Sequence, residues 1–185
     1  MREIALHLLD IVQNSVTAGA SRVDISFDLA ADGMLTMTVK DDGRGMSPEL
    51  LERVRSPFVT TRTTRKVGLG IPLLMQNAMA SGGDVRLESE VGVGTTLTAA
   101  FNTASIDCLP LGDLGQTMAT IVMGSPDKPD FTLTCTSPAG TMEFSTAEMR
   151  AVLGEEVSLA EPGVVQWMQQ SLTEEIEPIL GGIMR

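Results

Sequence analysis

The sequence contains only two cysteines, Cys108 and Cys135, one histidine and no tyrosine. The cysteines form no CxxC pair and have no histidine beside them, which reads as a reduced, intracellular chain. No run of about 18 apolar residues occurs, so no membrane-spanning helix is expected. The opening MREIALHLLD is patterned as a helix rather than as a signal peptide, and a cytoplasmic protein is expected. Aromatic residues make up 3 %, while the 12 methionines are scattered through apolar positions, as core filling rather than as an adaptable binding face.

Positive charge is scarce in the second half. Residues 102–185 hold three Lys/Arg against twelve Asp/Glu, a net of −9, whereas residues 1–101 carry a net of only −2. An acidic surface repels phosphate backbones, so nucleic acid is not an expected partner. Residues 53–66 invert the trend, with Arg53, Arg55, Arg62, Arg65 and Lys66 and no acid. At 185 residues and 43 % apolar composition, the chain is long enough for one substantial core.

Residues 3–17 read as a helix with Ile4, Leu8, Ile11, Val12 and Ser15 on one side and His7, Asp10 and Asn14 on another. Strands are expected at 22–28 and 34–40, joined by Ala31, Asp32 and Gly33. A glycine loop, DDGRGM at 41–46, leads to a short helix opening at SPELLE, 47–52, and a longer helix is expected over 69–80. Strands follow at 84–90 and 95–101. Beyond Asn102 the reading is a small acidic α+β extension: strands at 117–123 and 131–136, a short helix capped by STAE at 145–148, and a last helix over 163–177 stopped by Pro178. The expected organisation is a first unit over 1–101 and the extension over 102–185. The extension is expected to be packed rather than a disordered tail.

Asp10 and Asn14 are four residues apart on one helix face. An asparagine oxygen is a neutral ligand for a hard cation, and a neighbouring carboxylate can orient a water. Asp41 ends a strand before Gly43 and Gly45, where the backbone can approach a flat ligand and a carboxylate can accept from an amine. A plain acidic turn would give the same triplet. VGLG at 67–70 follows a basic segment and precedes an apolar helix, and helix-start amides with nearby cations suit an anion.

In order along the chain, DIVQN at 10–14, DDGRG at 41–45, VGLG at 67–70 and VGT at 93–95 resemble the ATP-binding domain shared by DNA gyrase, Hsp90 chaperones, sensor histidine kinases and MutL proteins. The resemblance runs from about residue 4 to residue 101. Asn14-Ser15 with AGASRVDI at 18–25 is similar to the mismatch-repair branch. GLG at 68–70, SGG at 81–83 and GVGT at 92–95 are more similar to the histidine-kinase branch. The implied fold is an α/β two-layer sandwich of the Bergerat type, a mixed sheet with helices on one face.

The resemblance implies ATP and Mg2+ as cofactors, with Asn14 holding the metal. Asp41 would meet the adenine amine, assisted by Thr95 through water, and Gly43, Gly45 and Met46 would border the base. Gly68, Leu69 and Gly70 would offer amides to the phosphates, and Arg62, Arg65 and Lys66 would reach the terminal phosphate. Two departures stand out. The base position holds Asp10 where the related ATPases usually have glutamate, so fast hydrolysis is not expected. The lid between Phe58 and Gly68 is very short. Only Met1 to Glu3 precede the first helix, so no phosphoacceptor histidine segment is expected there. His7, one turn before Asp10, reads as a helix side chain near the site. The expected function is a Mg-ATP-binding signalling or regulatory domain that transfers phosphate to a protein partner. The rivals are an ATP-sensing module without chemistry and a slow ATPase switch.

Overall fold

The computed structural model describes residues 2–55, 70–154 and 156–183. Helix α1 (Ile4–Thr17) comes first, followed by the hairpin β1 (Arg22–Leu29) and β2 (Met34–Asp41), then α2 (Pro48–Arg55). Helix α3 (Gly70–Ala80) and the hairpin β3 (Val85–Glu90) and β4 (Gly94–Asn102) complete the first part. The chain continues through α4 (Leu114–Gly124), β5 (Asp130–Ser137), β6 (Gly140–Ser145), α5 (Thr146–Leu153) and α6 (Pro162–Leu180), with a short 3-10 turn at Gly181–Ile183.

The strands among the described residues join one mixed six-stranded sheet in the order β3-β4-β2-β1-β5-β6. Only the β1–β5 pair is parallel. Strict alternation in the sequence decides which face is buried. Phe27 lies opposite Met37 on one side and Cys135 on the other, and Met37 lies opposite Ala99. All four are fully buried and form one apolar row across the sheet. The intervening positions, Ser26, Thr38, Thr98 and Thr134, form a polar row on the opposite face. Helices α1, α3, α4 and α6 bring buried side chains to the core, giving the expected two-layer α/β sandwich. Burial pushes the Cys135 thiol up to about 12, and both cysteines are free.

Several expectations beyond residue 102 need correction. Residues 117–123 are helical, not a strand. Asp113 caps α4 by accepting from the Gln116 amide at 2.8 Å, and Leu114, Met118, Ile121 and Val122 are all buried. A continuous apolar run looks the same in a buried helix and a buried strand, which is why the pattern misled. Strand β6 was not expected, because Gly140 and Glu143 break up its apolar content. The last helix does not stop at Pro178 but continues to Leu180, whose side chain is buried. Pro178 lies inside this helix and lacks the N–H for one intrahelical hydrogen bond, without ending the helix. The expected boundary at 101/102 falls within the end of β4, and the later strands extend the same sheet rather than forming a second one.

Candidate functional site

A cleft of about 240 Å3 opens between the sheet and α1, walled on its other sides by α2 and the start of α3. Its floor consists of two adjacent cross-strand rows. Val39, Leu97 and Leu87 pair directly across β2, β4 and β3, and one step further along lie Asp41, Thr95 and Ser89. Side chains paired in this way share a face, so an apolar floor ends in a polar rim. Met46, Ile71 and Leu50 close around it. The cleft is narrow, mostly apolar and has convergent polar groups at one end, as flat organic ligands require.

Asp41 is 8 % exposed, and among the described residues it is the only carboxylate lining the cleft. Ser15, buried on α1, donates from Oγ to Asp41 Oδ2 at 2.6 Å, and the Gly43 amide donates to Oδ1 at 2.9 Å. Each oxygen keeps a second lone pair for a ligand donor. The carboxylate is thus held in place from the helix and from its own loop. The adjacent Asp42 does different work. Its Oδ1 accepts from the amides of Ser21 at 2.7 Å and Arg22 at 2.8 Å, and these bonds, Arg22's first, hold its carboxyl below the ordinary range. Asp42 ties the loop to the start of β1 while Asp41 faces the cleft.

The rim is a small hydroxyl network. Ser89 Oγ lies 2.8 Å from Thr95 Oγ1, donates to the Gly94 carbonyl at 3.0 Å and accepts from the Met46 amide at 2.8 Å. Thr95 and Met46 both line the cleft. Ser15 and Ser89 carried no expected role, although Ser15 adjoins Asn14 and stands on the buried face of α1. Gly45 lines the cleft and also meets a packing constraint. At φ +65°, its missing Cβ makes room for the Glu90 carbonyl, so it seats the loop on the β3–β4 turn. Gly94, at φ +134°, is pressed in the same way against the Asp41 carbonyl.

Asn14 is exposed and lines the cleft mouth. Asp10 is exposed and lies against Gly70 at the start of α3, outside the cleft lining. Arg62, Arg65, Lys66, Gly68 and Leu69 lie outside the described residues. Among the described residues, no cluster of three or more His, Cys, Asp or Glu could hold a metal by itself. The Asn14 side-chain oxygen is a neutral donor at the mouth of the cleft.

His7 does not belong to the polar face expected for it. It is fully buried, with Nε2 2.8 Å from Asn77 Nδ2 on α3, while Nδ1 has no partner among the described residues. Burial lowers its pKa, the positive N-terminus lowers it further, and Asp10 opposes both. The unfolded chain therefore binds a proton more readily than the folded one. Stability should be full above pH 6.5 and fall as pH drops below it. Thermal melts between about pH 7 and pH 5 should show this slope, and His7→Gln should flatten it. An equal slope in both proteins would place the titrating group elsewhere.

Residues 2–105 match the family described as histidine kinase-, DNA gyrase B-, and HSP90-like ATPases. Among relatives, the chain is 39 % identical over 71 residues to the histidine protein kinase DivJ of Caulobacter vibrioides, covering 36 % of this chain and 12 % of that protein. It is 30 % identical over 92 residues to sporulation kinase D of Bacillus subtilis, covering 49 % of this chain and 18 % of the kinase. The chain thus spans less than a fifth of either relative. The crystal structure of the N-terminal domain of a DNA repair protein aligns with a TM-score of 0.49 at 14 % identity, over 78 % of this chain and 52 % of that one. No described helix is long and apolar enough to cross a membrane. The family match covers more than half of the 185 residues and includes the strands and helix that build the cleft, and the chain belongs to the histidine kinase-, DNA gyrase B-, and HSP90-like ATPases as a histidine-kinase-like ATP-binding domain.

Proposed function

We propose that the cleft takes Mg-ATP with the adenine amine at Asp41, and that the bound nucleotide serves as phosphoryl donor to a protein partner in signalling. The observation that carries this reading is Asp41 itself, a buried carboxylate oriented by Ser15 and Gly43 at the end of an apolar slot. Adenine presents an exocyclic donor there, whereas guanine presents a carbonyl oxygen that the carboxylate would repel. Asn14 at the mouth would hold the metal, which when bound neutralises phosphate charge. Transfer forms a bond from the partner's nucleophile to the terminal phosphorus as the bond to ADP breaks.

The position of Asp10 supports a second reading, a sensor that binds ATP without chemistry. Its carboxylate lies outside the cleft lining, and among the described lining residues the one carboxylate, Asp41, is already engaged by Ser15 and Gly43. Incubation with gamma-labelled ATP and candidate partner proteins separates the readings. Label on a partner supports the donor role. Tight ATP binding with neither labelled protein nor free phosphate supports the sensor, and rapid release of phosphate contradicts both.

The two helix residues should also separate. Asn14→Ala is expected to remove the magnesium dependence of nucleotide affinity, because it deletes the metal's oxygen ligand. Asp10→Asn should leave affinity nearly unchanged and lower only turnover. Calorimetric titrations with and without magnesium measure the difference. If both variants lose magnesium-dependent binding equally, the division of roles is wrong.

A further inference from the structure

Far along the sheet from the cleft, strand β6 forms one edge, with β5 as its only strand neighbour among the described residues. Beside this edge, α5 and α6 leave a groove of about 510 Å3 lined by Phe144, Met149, Val152, Leu153 and Trp167. Trp167 is 59 % exposed and Val152 is 86 % exposed, although both stand on helices that bury other side chains. A soluble surface gains nothing from showing a tryptophan beside a hollow of this size. Glu143 and Glu148 form the rim, and Glu175 borders the adjoining hollow under Trp167. The three elements around the groove contain a single cation, Arg150, which is bound to Asp130 and to the Pro126 carbonyl.

We propose that this groove docks a short segment of a partner protein in which lysine or arginine alternates with apolar residues. Alternation matches the open strand edge, since an added strand sends every second side chain to one face. The apolar set would enter against Trp167 and Phe144, and the basic set would meet Glu143 and Glu148. Charge decides among occupants. A second copy of this chain would bring its own acidic rim, within a region of net −9 over residues 102–185, and nucleic acid or an anionic membrane would be repelled alike. An edge glutamate alone could serve only to discourage strand pairing between copies. That role accounts for Glu143 but not for the exposed Trp167 or the hollow. The opposite edge differs, because β3 carries the balanced pair Arg86 and Glu88.

Trp167 is the only tryptophan in the chain, so its emission reports on the groove without labelling. The probe is a short synthetic peptide alternating lysine with valine, titrated into the full chain, with a glutamate–valine peptide as control. A saturable blue shift with the basic peptide only is the expected result. Joint substitution Glu143→Lys and Glu148→Lys should weaken binding by roughly tenfold or more. Asp107→Lys, an exposed acid outside the groove, should leave binding unchanged. The proposal is overturned if the basic peptide gives no shift, or if both peptides act equally. It is also overturned if Asp107→Lys weakens binding as much as the rim pair does. A blue shift that grows with protein concentration alone would assign the groove to a second copy instead. The groove shares no residue with the nucleotide cleft, so these outcomes do not depend on ATP.

Discussion

Asp41→Asn is expected to abolish most of the affinity for ATP while leaving the fold intact. The carboxylate now accepts from the Ser15 hydroxyl on one oxygen and from the Gly43 amide on the other. An asparagine side chain has one oxygen and one amide nitrogen, so one of those two donors would face another donor. The remaining oxygen must then serve both the protein and the ligand. A buried polar group left mispaired costs about 1–3 kcal/mol, which corresponds to a loss in affinity of roughly five- to 150-fold. The Ser15 hydroxyl can rotate to donate elsewhere, for example to the Ile11 carbonyl 3.5 Å away, which limits the damage to the empty protein. Calorimetry on the variant should show the loss together with an unchanged melting temperature. Full ATP affinity in Asp41→Asn would remove this residue from adenine recognition.

The largest effect on stability is expected from cutting the chain after Asn102. The family match ends near that point, so such a fragment would contain the whole cleft. It would nonetheless lose the strand beside β1, since Val23, Ile25 and Phe27 lie opposite Phe131, Leu133 and Cys135. It would also lose α4 and α6, whose Leu114, Met118, Met168, Leu172 and Ile176 are buried in the same core. Burying each large apolar side chain is worth roughly 1.5–3 kcal/mol, so losing this set exceeds the net stability of an ordinary domain. The fragment should be insoluble or unfolded, and amide exchange on the full chain should protect β5 and α6 as strongly as β1. A soluble fragment with a cooperative melt would show that the acidic half is dispensable to the fold.

Much of the first hundred residues was legible because local signals agreed with the tertiary outcome. The alternation in RVDISFD and MLTMTVK sets the buried face, and the loop DDGRGM sets where β2 must end. What remained hidden depends on contacts between distant segments. Nothing near His7 indicates that Asn77, 70 positions away, will cover it. Gly45 reads as a glycine bordering the ligand, but the sequence does not show that the Glu90 carbonyl packs against it, nor that the Asp41 carbonyl packs against Gly94. Ser89 is one more polar position on an edge strand until the register sets it beside Thr95. The acidic half was harder still. Its apolar run at 117–123 carries no period that separates helix from strand, and the parallel pairing of β5 with β1 spans more than a hundred residues of sequence.

The central claim is that the cleft under α1 receives the adenine of ATP. Amide-resolved NMR of the full chain during titration with Mg-ATP tests it most directly, with Mg-GTP in parallel. The account predicts that ATP shifts the signals of Ser15, Gly43, Gly45, Met46 and Thr95 together along one saturable curve. Those of β6 and α5 should stay in place, and GTP should reproduce little of the response. Equal shifts with GTP, or an ATP response that bypasses Gly43 and Thr95, would contradict it.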